Sequence, residues 1–117
     1  MRIGVPKEIK QREYRVGMTP GAVREAVAHG HQVLVETNAG AAIDLPDDSY
    51  RAAGAAIAPD AASVWRDADM VVKVKEPLQA EYALLRPEQV LFTYLHLAAD
   101  RKQAEALIAA NNVAIAY

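Results

Sequence analysis

Residues 1–36, MRIGVPKEIKQREYRVGMTPGAVREAVAHGHQVLVE, decide the fold class. Arg2–Val5 is a short run with β-branched members closed by Pro6, the pattern of a strand. Residues 6–18 are too polar and irregular for core and read as a long loop. Thr19-Pro20 marks a helix start, with the threonine hydroxyl as cap and the fixed φ of proline at the first helical position. Val23, Ala26 and Val27 recur at helical spacing, and Gly30 supplies the stop. Gln32–Glu36 is a second strand. This is a complete strand–helix–strand unit.

The alternation continues outward from that unit. Asn38 to Pro46 reads as a loop around Gly40, Asp47 to Ala53 as a short helix ended by Gly54, and Ala55 to Ala58 as a weak strand. Asp60 can cap a helical turn carrying Val64 and Trp65. Met70 to Lys75 reads as a strand stopped by Glu76-Pro77, and residues 80–89 hold a short helical piece interrupted at Pro87. Val90 to Leu95 is the next strand. Asp100 and Gln103 form a capping-box-like start to a helix through Ala110, with Ala104, Leu107 and Ile108 as its buried stripe. Val113 to Tyr117 is a last strand. The expected class is α/β: Rossmann-like, a mainly parallel sheet flanked by helices, incomplete at the C-terminus.

A chain of 117 residues makes one domain and can bury about two-thirds of its unfolded surface. It is 52% hydrophobic but 6% aromatic, so the core is built from small side chains, as suits helices lying close on a parallel sheet. With a net charge of −2 and interspersed signs, there is no basic stripe, and no nucleic-acid partner is expected. No run of about 18 apolar residues occurs, so no membrane span is expected. The N-terminus turns charged after five residues and lacks the apolar core of a signal peptide. Cysteine is absent, which excludes disulfides and thiolate metal sites and fits a cytoplasmic protein. His29 and His31 flank Gly30 in a helix-to-strand turn, where a solvated cap outweighs a ligand pair; no metal is expected.

Open α/β sheets bind ligands outside the carboxyl ends of their strands. Arg15, Lys75 and His96 each follow a strand, so the topology delivers a guanidinium, an ammonium and an imidazole to one rim. That set suits a small carboxylate bearing a reactive carbonyl or amine. Each residue also has a plainer reading. Arg15 shares its loop with Lys7, Lys10 and Arg12 and fits a solvated charge run. Lys75 fits a solvated strand end, and alternation puts Lys73 on the same side, so pattern alone does not rank the two lysines. His96 stands between Tyr94-Leu95 and Leu97-Ala98, surroundings typical of a core histidine. The six glycines never form G-x-G-x-x-G after a strand, so this segment itself has no dinucleotide fingerprint.

The opening MRIGVPKEIKQREYRVGMTP, then DMVVKVKEP, then LFTYLHLAAD resemble the N-terminal substrate-binding region of NAD-dependent alanine dehydrogenases, within the alanine dehydrogenase/pyridine nucleotide transhydrogenase family. The resemblance runs over essentially the whole chain. It implies that residues 1–117 are the N-terminal substrate-binding (catalytic) domain portion, with the nucleotide-binding domain absent from this chain. It implies an oxidoreductase interconverting L-alanine and pyruvate plus ammonia, with NAD bound by that missing domain. The isolated chain is then expected to be inactive. A returning C-terminal segment and further acidic groups would complete the site from downstream.

The resemblance also implies residue roles. Arg15 grips the substrate carboxylate through two parallel hydrogen bonds. Lys75 lies near the carboxylate and polarises the carbonyl, and His96 is the general acid/base. Tyr94 alternates with His96 on one face and lines the pocket or packs. A cytoplasmic homo-oligomer is implied, a hexamer in the full-length family, acting on a small-molecule substrate. The loop NAGAAIDLPDD, residues 38–48, is poorer in glycine than the family's usual one and is not expected to be catalytic. Two alternatives stand beside this reading. The N-terminal domain of a nicotinamide nucleotide transhydrogenase alpha subunit shares the opening and layout but is not expected to keep both Lys75 and His96. A non-enzymatic Rossmann-like fragment is the other. Lysine-pathway dehydrogenases of the saccharopine type are more distant.

Overall fold

The computed structural model describes residues 1–117. Six strands run β1 Arg2–Val5, β2 Gln32–Glu36, β3 Ala56–Ala58, β4 Met70–Val72, β5 Val90–Thr93 and β6 Val113–Ala116. Four helices alternate with them: α1 Pro20–Ala28, α2 Asp47–Ala52, α3 Ala61–Asp67 and α4 Arg101–Ala110. A 3₁₀ segment, Gln79–Leu84, links β4 to β5. The strands form one sheet in the order β3-β2-β1-β4-β5-β6, and every neighbouring pair is parallel. The fold is Rossmann-like. No helix is long and apolar enough to cross a membrane.

The strand alternation separates two cores. Ile3, Val5, Val33, Val35 and Val72 face one side, where they meet Val23 of α1 and Tyr50 of α2. Val71 and Leu91 face the other, against Trp65 of α3 and Leu107 of α4. Gly4 belongs to that second face: a Cβ there would lie 2.7 Å from the Ala68 Cβ and 2.8 Å from Val64 Cγ1. Glycine lets α3 sit directly on β1. Helix starts follow their caps. The Thr19 hydroxyl accepts from the Ala22 N–H, Asp60 from Ser63, and Asp100 from Gln103.

Four sequence expectations are corrected. β4 ends at Val72 rather than Lys75, because the Val74 N–H turns to the Glu8 carboxylate at 2.6 Å instead of continuing the ladder. β5 ends at Thr93 rather than Leu95, where the Leu95 carbonyl is taken by the Gln103 side-chain amide at 2.8 Å. That same bond rotates α4: Gln103 and Leu107 are buried, while Ile108 is 80% exposed. Residues 6–18 are a loop but do not stay clear of the interior, since Glu8 and Val16 are buried. At Gly17 a Cβ would come within 2.4 Å of the Val72 carbonyl oxygen, so the loop lies flat against the carboxyl end of β4.

Candidate active site

The sheet order reverses between β1 and β4, so the crevice at their carboxyl ends is where this architecture places ligands. β1, β4 and β5 are neighbours, and the loops that leave them carry Arg15, Lys75 and His96. Arg15, Lys75 and Tyr94 share a cleft of about 410 Å³, walled also by Val74 and Tyr117. The Lys75 Nζ lies 5.5 Å from the centre of the Tyr94 ring, within reach of its electron-rich face. The His96 ring centre is 5.6 Å from that of Tyr94, so the imidazole stands beside a wall residue of the cleft without itself lining it. A wider hollow of about 530 Å³ lies under the loop 6–18 and shares only Arg15 with it.

Each side chain is held by its own element. The Arg15 guanidinium is gripped by Glu13, with Nε to Oε2 at 2.9 Å and Nη2 to Oε1 at 2.5 Å. The Arg15 backbone N–H also donates to Glu13. These hydrogen bonds hold the Glu13 carboxyl down at about 2, against an ordinary 4.5. The clasp uses part of the guanidinium and leaves its other N–H groups for a second carboxylate. Lys75 is half-buried, and its carbonyl accepts from the Thr93 hydroxyl at 2.8 Å. His96 is exposed, not a core histidine. It adopts the left-handed conformation, φ 50° and ψ 41°, a non-glycine geometry often found at functional turns.

The two lysines that pattern left unranked differ sharply. Lys73 is 1% exposed, and its ammonium sits 3.2 Å from Glu8 and 3.0 Å from Glu81. It faces these carboxylates and not the cleft, because the chain leaves the strand pleat after Val72. Sequence reasoning missed four residues around the site, Glu8, Glu13, Glu81 and Tyr117, and read Gln103 only as part of a helix cap, whereas its side chain donates to the Leu95 carbonyl. Glu13 carried a faint signal, an acid two places from the candidate arginine. The Tyr117 hydroxyl donates to the Lys73 carbonyl at 2.9 Å, and its ring packs 5.0 Å from that of Phe92; nothing local marked it.

Residues 4–117 match the family model described as alanine dehydrogenase/PNT, N-terminal domain. The chain belongs to this family. It is 50% identical over 117 residues to an alanine dehydrogenase of Staphylococcus epidermidis, covering all of this chain and 31% of that protein. It is 52% identical to alanine dehydrogenase 2 of Staphylococcus aureus, with the same coverage. Among solved structures, an L-alanine dehydrogenase superposes with a TM-score of 0.97 at 53% identity, covering 100% of this chain and 32% of that one. A transhydrogenase from Sinorhizobium meliloti gives 0.92 at 27% identity, covering 99% and 34%. The chain thus spans about a third of the length of these relatives.

NAD, the cofactor that the resemblance implies, does not fit the residues present. The loop 6–18 crosses the carboxyl ends of β1 and β4, and the Glu8, Lys73 and Glu81 side chains are buried beneath it. This group carries two carboxylates against one ammonium and would repel a pyrophosphate. No glycine-rich turn leads from β1 straight into a helix N-terminus, the arrangement that cradles dinucleotides.

Proposed function

We propose that residues 1–117 are the substrate-holding portion of an NAD-dependent alanine dehydrogenase, which interconverts L-alanine with pyruvate and ammonia. The observation that carries this reading is the cleft shared by Arg15, Lys75 and Tyr94, with the His96 ring beside that of Tyr94. The preference over a transhydrogenase rests on identity, 53% against 27% for the two solved structures, and on the presence of both Lys75 and His96. In this reading NAD is held by chain outside residues 1–117. The reading carries with it a cytoplasmic homo-oligomer, hexameric in full length, with no nucleic-acid partner.

The roles follow from the chemistry of each group. The free N–H groups of Arg15 pair with the substrate carboxylate and fix its plane. The Lys75 ammonium donates to the keto oxygen and offsets negative charge gathering there. Tyr94 lends one wall and keeps Lys75 in place through its ring. His96 gives and takes the proton as the carbonyl is converted to a carbinolamine and onward.

In the full-length enzyme, Lys75→Ala and His96→Ala should each lower kcat by about 10²–10⁴-fold while NAD affinity, measured separately, stays near wild type. Arg15→Ala should act mainly on KM for pyruvate, since a carboxylate grip serves ground state and transition state alike. Near-normal kcat in His96→Ala would remove the acid/base role from that residue.

A further inference from the structure

We propose that Glu8 is a positioning residue for Lys75, fixing through the Val74 N–H the segment that presents the Lys75 ammonium to the cleft; this rests on the substrate role proposed for Lys75. Glu8 is 7% exposed and divides its two oxygens. Oε1 accepts from the Val74 N–H at 2.6 Å, one residue before Lys75, and Oε2 accepts from the Lys73 ammonium at 3.2 Å. The rest of the segment is tied by neutral groups: the Lys73 N–H to the Phe92 carbonyl, the Lys73 carbonyl to Tyr117, and the Lys75 carbonyl to Thr93. A Lys10–Glu76 ion pair ties the side chain of the next residue to the same loop, and Glu8 supplies the charge-assisted bond to the segment's backbone, the stronger kind.

Two features separate this role from simple core stability. Lys73 already has a full counter-charge in Glu81, 3.0 Å away. A second buried carboxylate exceeds what pairing needs and is penalised by burial. Consistent with that, burial pushes the Glu8 carboxyl above its ordinary value, against the pull of Lys73. The contact that only Glu8 makes is the one to Val74; Glu81 instead accepts from the Leu78 N–H at 2.9 Å. Moreover, Glu8 and Arg15 lie in the same loop, so the Glu8–Val74 bond, with the Lys10–Glu76 ion pair, sets the spacing between the two cations that would meet one substrate.

The test uses the full-length enzyme with pyruvate, ammonia and NADH, whose oxidation is followed, and thermal unfolding as the control for folding. Glu8→Gln and Glu81→Gln each remove one charge and one acceptor oxygen from the same buried cluster, but the backbone group put at risk is the Val74 N–H, beside Lys75, in the first and the Leu78 N–H, three residues past Lys75, in the second. Glu8→Gln should lower kcat/KM for pyruvate by about 10–100-fold, the scale of a slightly misplaced catalytic group, while Glu81→Gln stays within about twofold at a similar loss of thermal stability. If Glu8→Gln does not fold, Glu8→Asp keeps the charge but shortens the reach by one methylene, and should show the same loss. In a Lys75→Ala background, Glu8→Gln should weaken pyruvate binding no further, as measured by calorimetry. Equal losses in Glu8→Gln and Glu81→Gln, an undiminished Glu8→Asp, or full additivity with Lys75→Ala would each overturn the proposal. If Lys75→Ala itself kept full activity, the substrate role of Lys75 would fall instead.

Discussion

Arg15 reaches the cleft already partnered. Its clasp with Glu13 holds that carboxyl at about 2 rather than 4.5, so the pair stabilises the fold fully above 4.5 and loses that contribution as pH falls toward 2. Glu13→Gln should flatten this part of the acid limb in urea denaturation measured across pH. The freed guanidinium should also raise KM for pyruvate in the full-length enzyme by about tenfold, equivalent to roughly 1.4 kcal/mol of lost orientation. Lys73 presents the opposite case. Lys73→Met leaves Glu8 and Glu81 buried together without a cation and should cost about 3–5 kcal/mol at neutral pH. The Glu8 carboxyl is already raised by burial, and a raised carboxyl is destabilising when ionised and relieved when protonated. The deficit of Lys73→Met should therefore shrink on mild acidification; a penalty independent of pH would contradict the buried-charge account. Sequence spacing marked Lys73 and Lys75 alike, because pairing and burial are not written in strand alternation: Glu8 is 65 residues from Lys73, and Glu81 lies 8 residues on, beyond the strand.

Among the elements, the loop 6–18 departs most from its sequence reading. Its polarity suggested a solvated excursion, yet Glu8 and Val16 are buried, and the Tyr50 hydroxyl of α2 donates to the Met18 carbonyl at 2.9 Å. Gly17 makes this possible, since its missing Cβ is replaced by the Val72 backbone. Backbone atoms cannot step aside as a flexible side chain can, so Gly17→Ala should destabilise by about 1–3 kcal/mol and lift the Arg15 loop off the sheet. The measurable signs are a lower urea midpoint and a higher KM for pyruvate, with NAD affinity unchanged; a normal KM would separate the loop's seating from Arg15's function. Strand starts were legible from β-branched runs and helix starts from their caps. Strand ends at the site were not, because β4 and β5 stop where Glu8, Thr93 and Gln103 side chains take over backbone groups.

At the scale of the whole molecule, the strand ends that bind dinucleotides in many such sheets are here crossed by the chain's own loop, with Glu8 buried against Lys73. Purified residues 1–117 should therefore form no NADH from L-alanine and NAD, followed by absorbance; turnover free of host enzyme would refute the division of labour proposed above. The amino-acid sequence by itself determined the class and the order of elements, and it bounded β1 at Arg2–Val5 and β2 at Gln32–Glu36 as they stand. It could do so because strand alternation, helical spacing, caps and Gly or Pro stops are written within a few neighbouring residues. The resemblance carried by its motifs named the family. The tertiary structure alone decided the strand order β3-β2-β1-β4-β5-β6, which brings the Arg15 and Lys75 loops together. It also separated a paired, buried Lys73 from a cleft-lining Lys75, exposed His96, and turned Gln103 inward and Ile108 outward. These outcomes depend on burial and on partners distant in sequence, and burial is a property of the packed chain rather than of any local pattern.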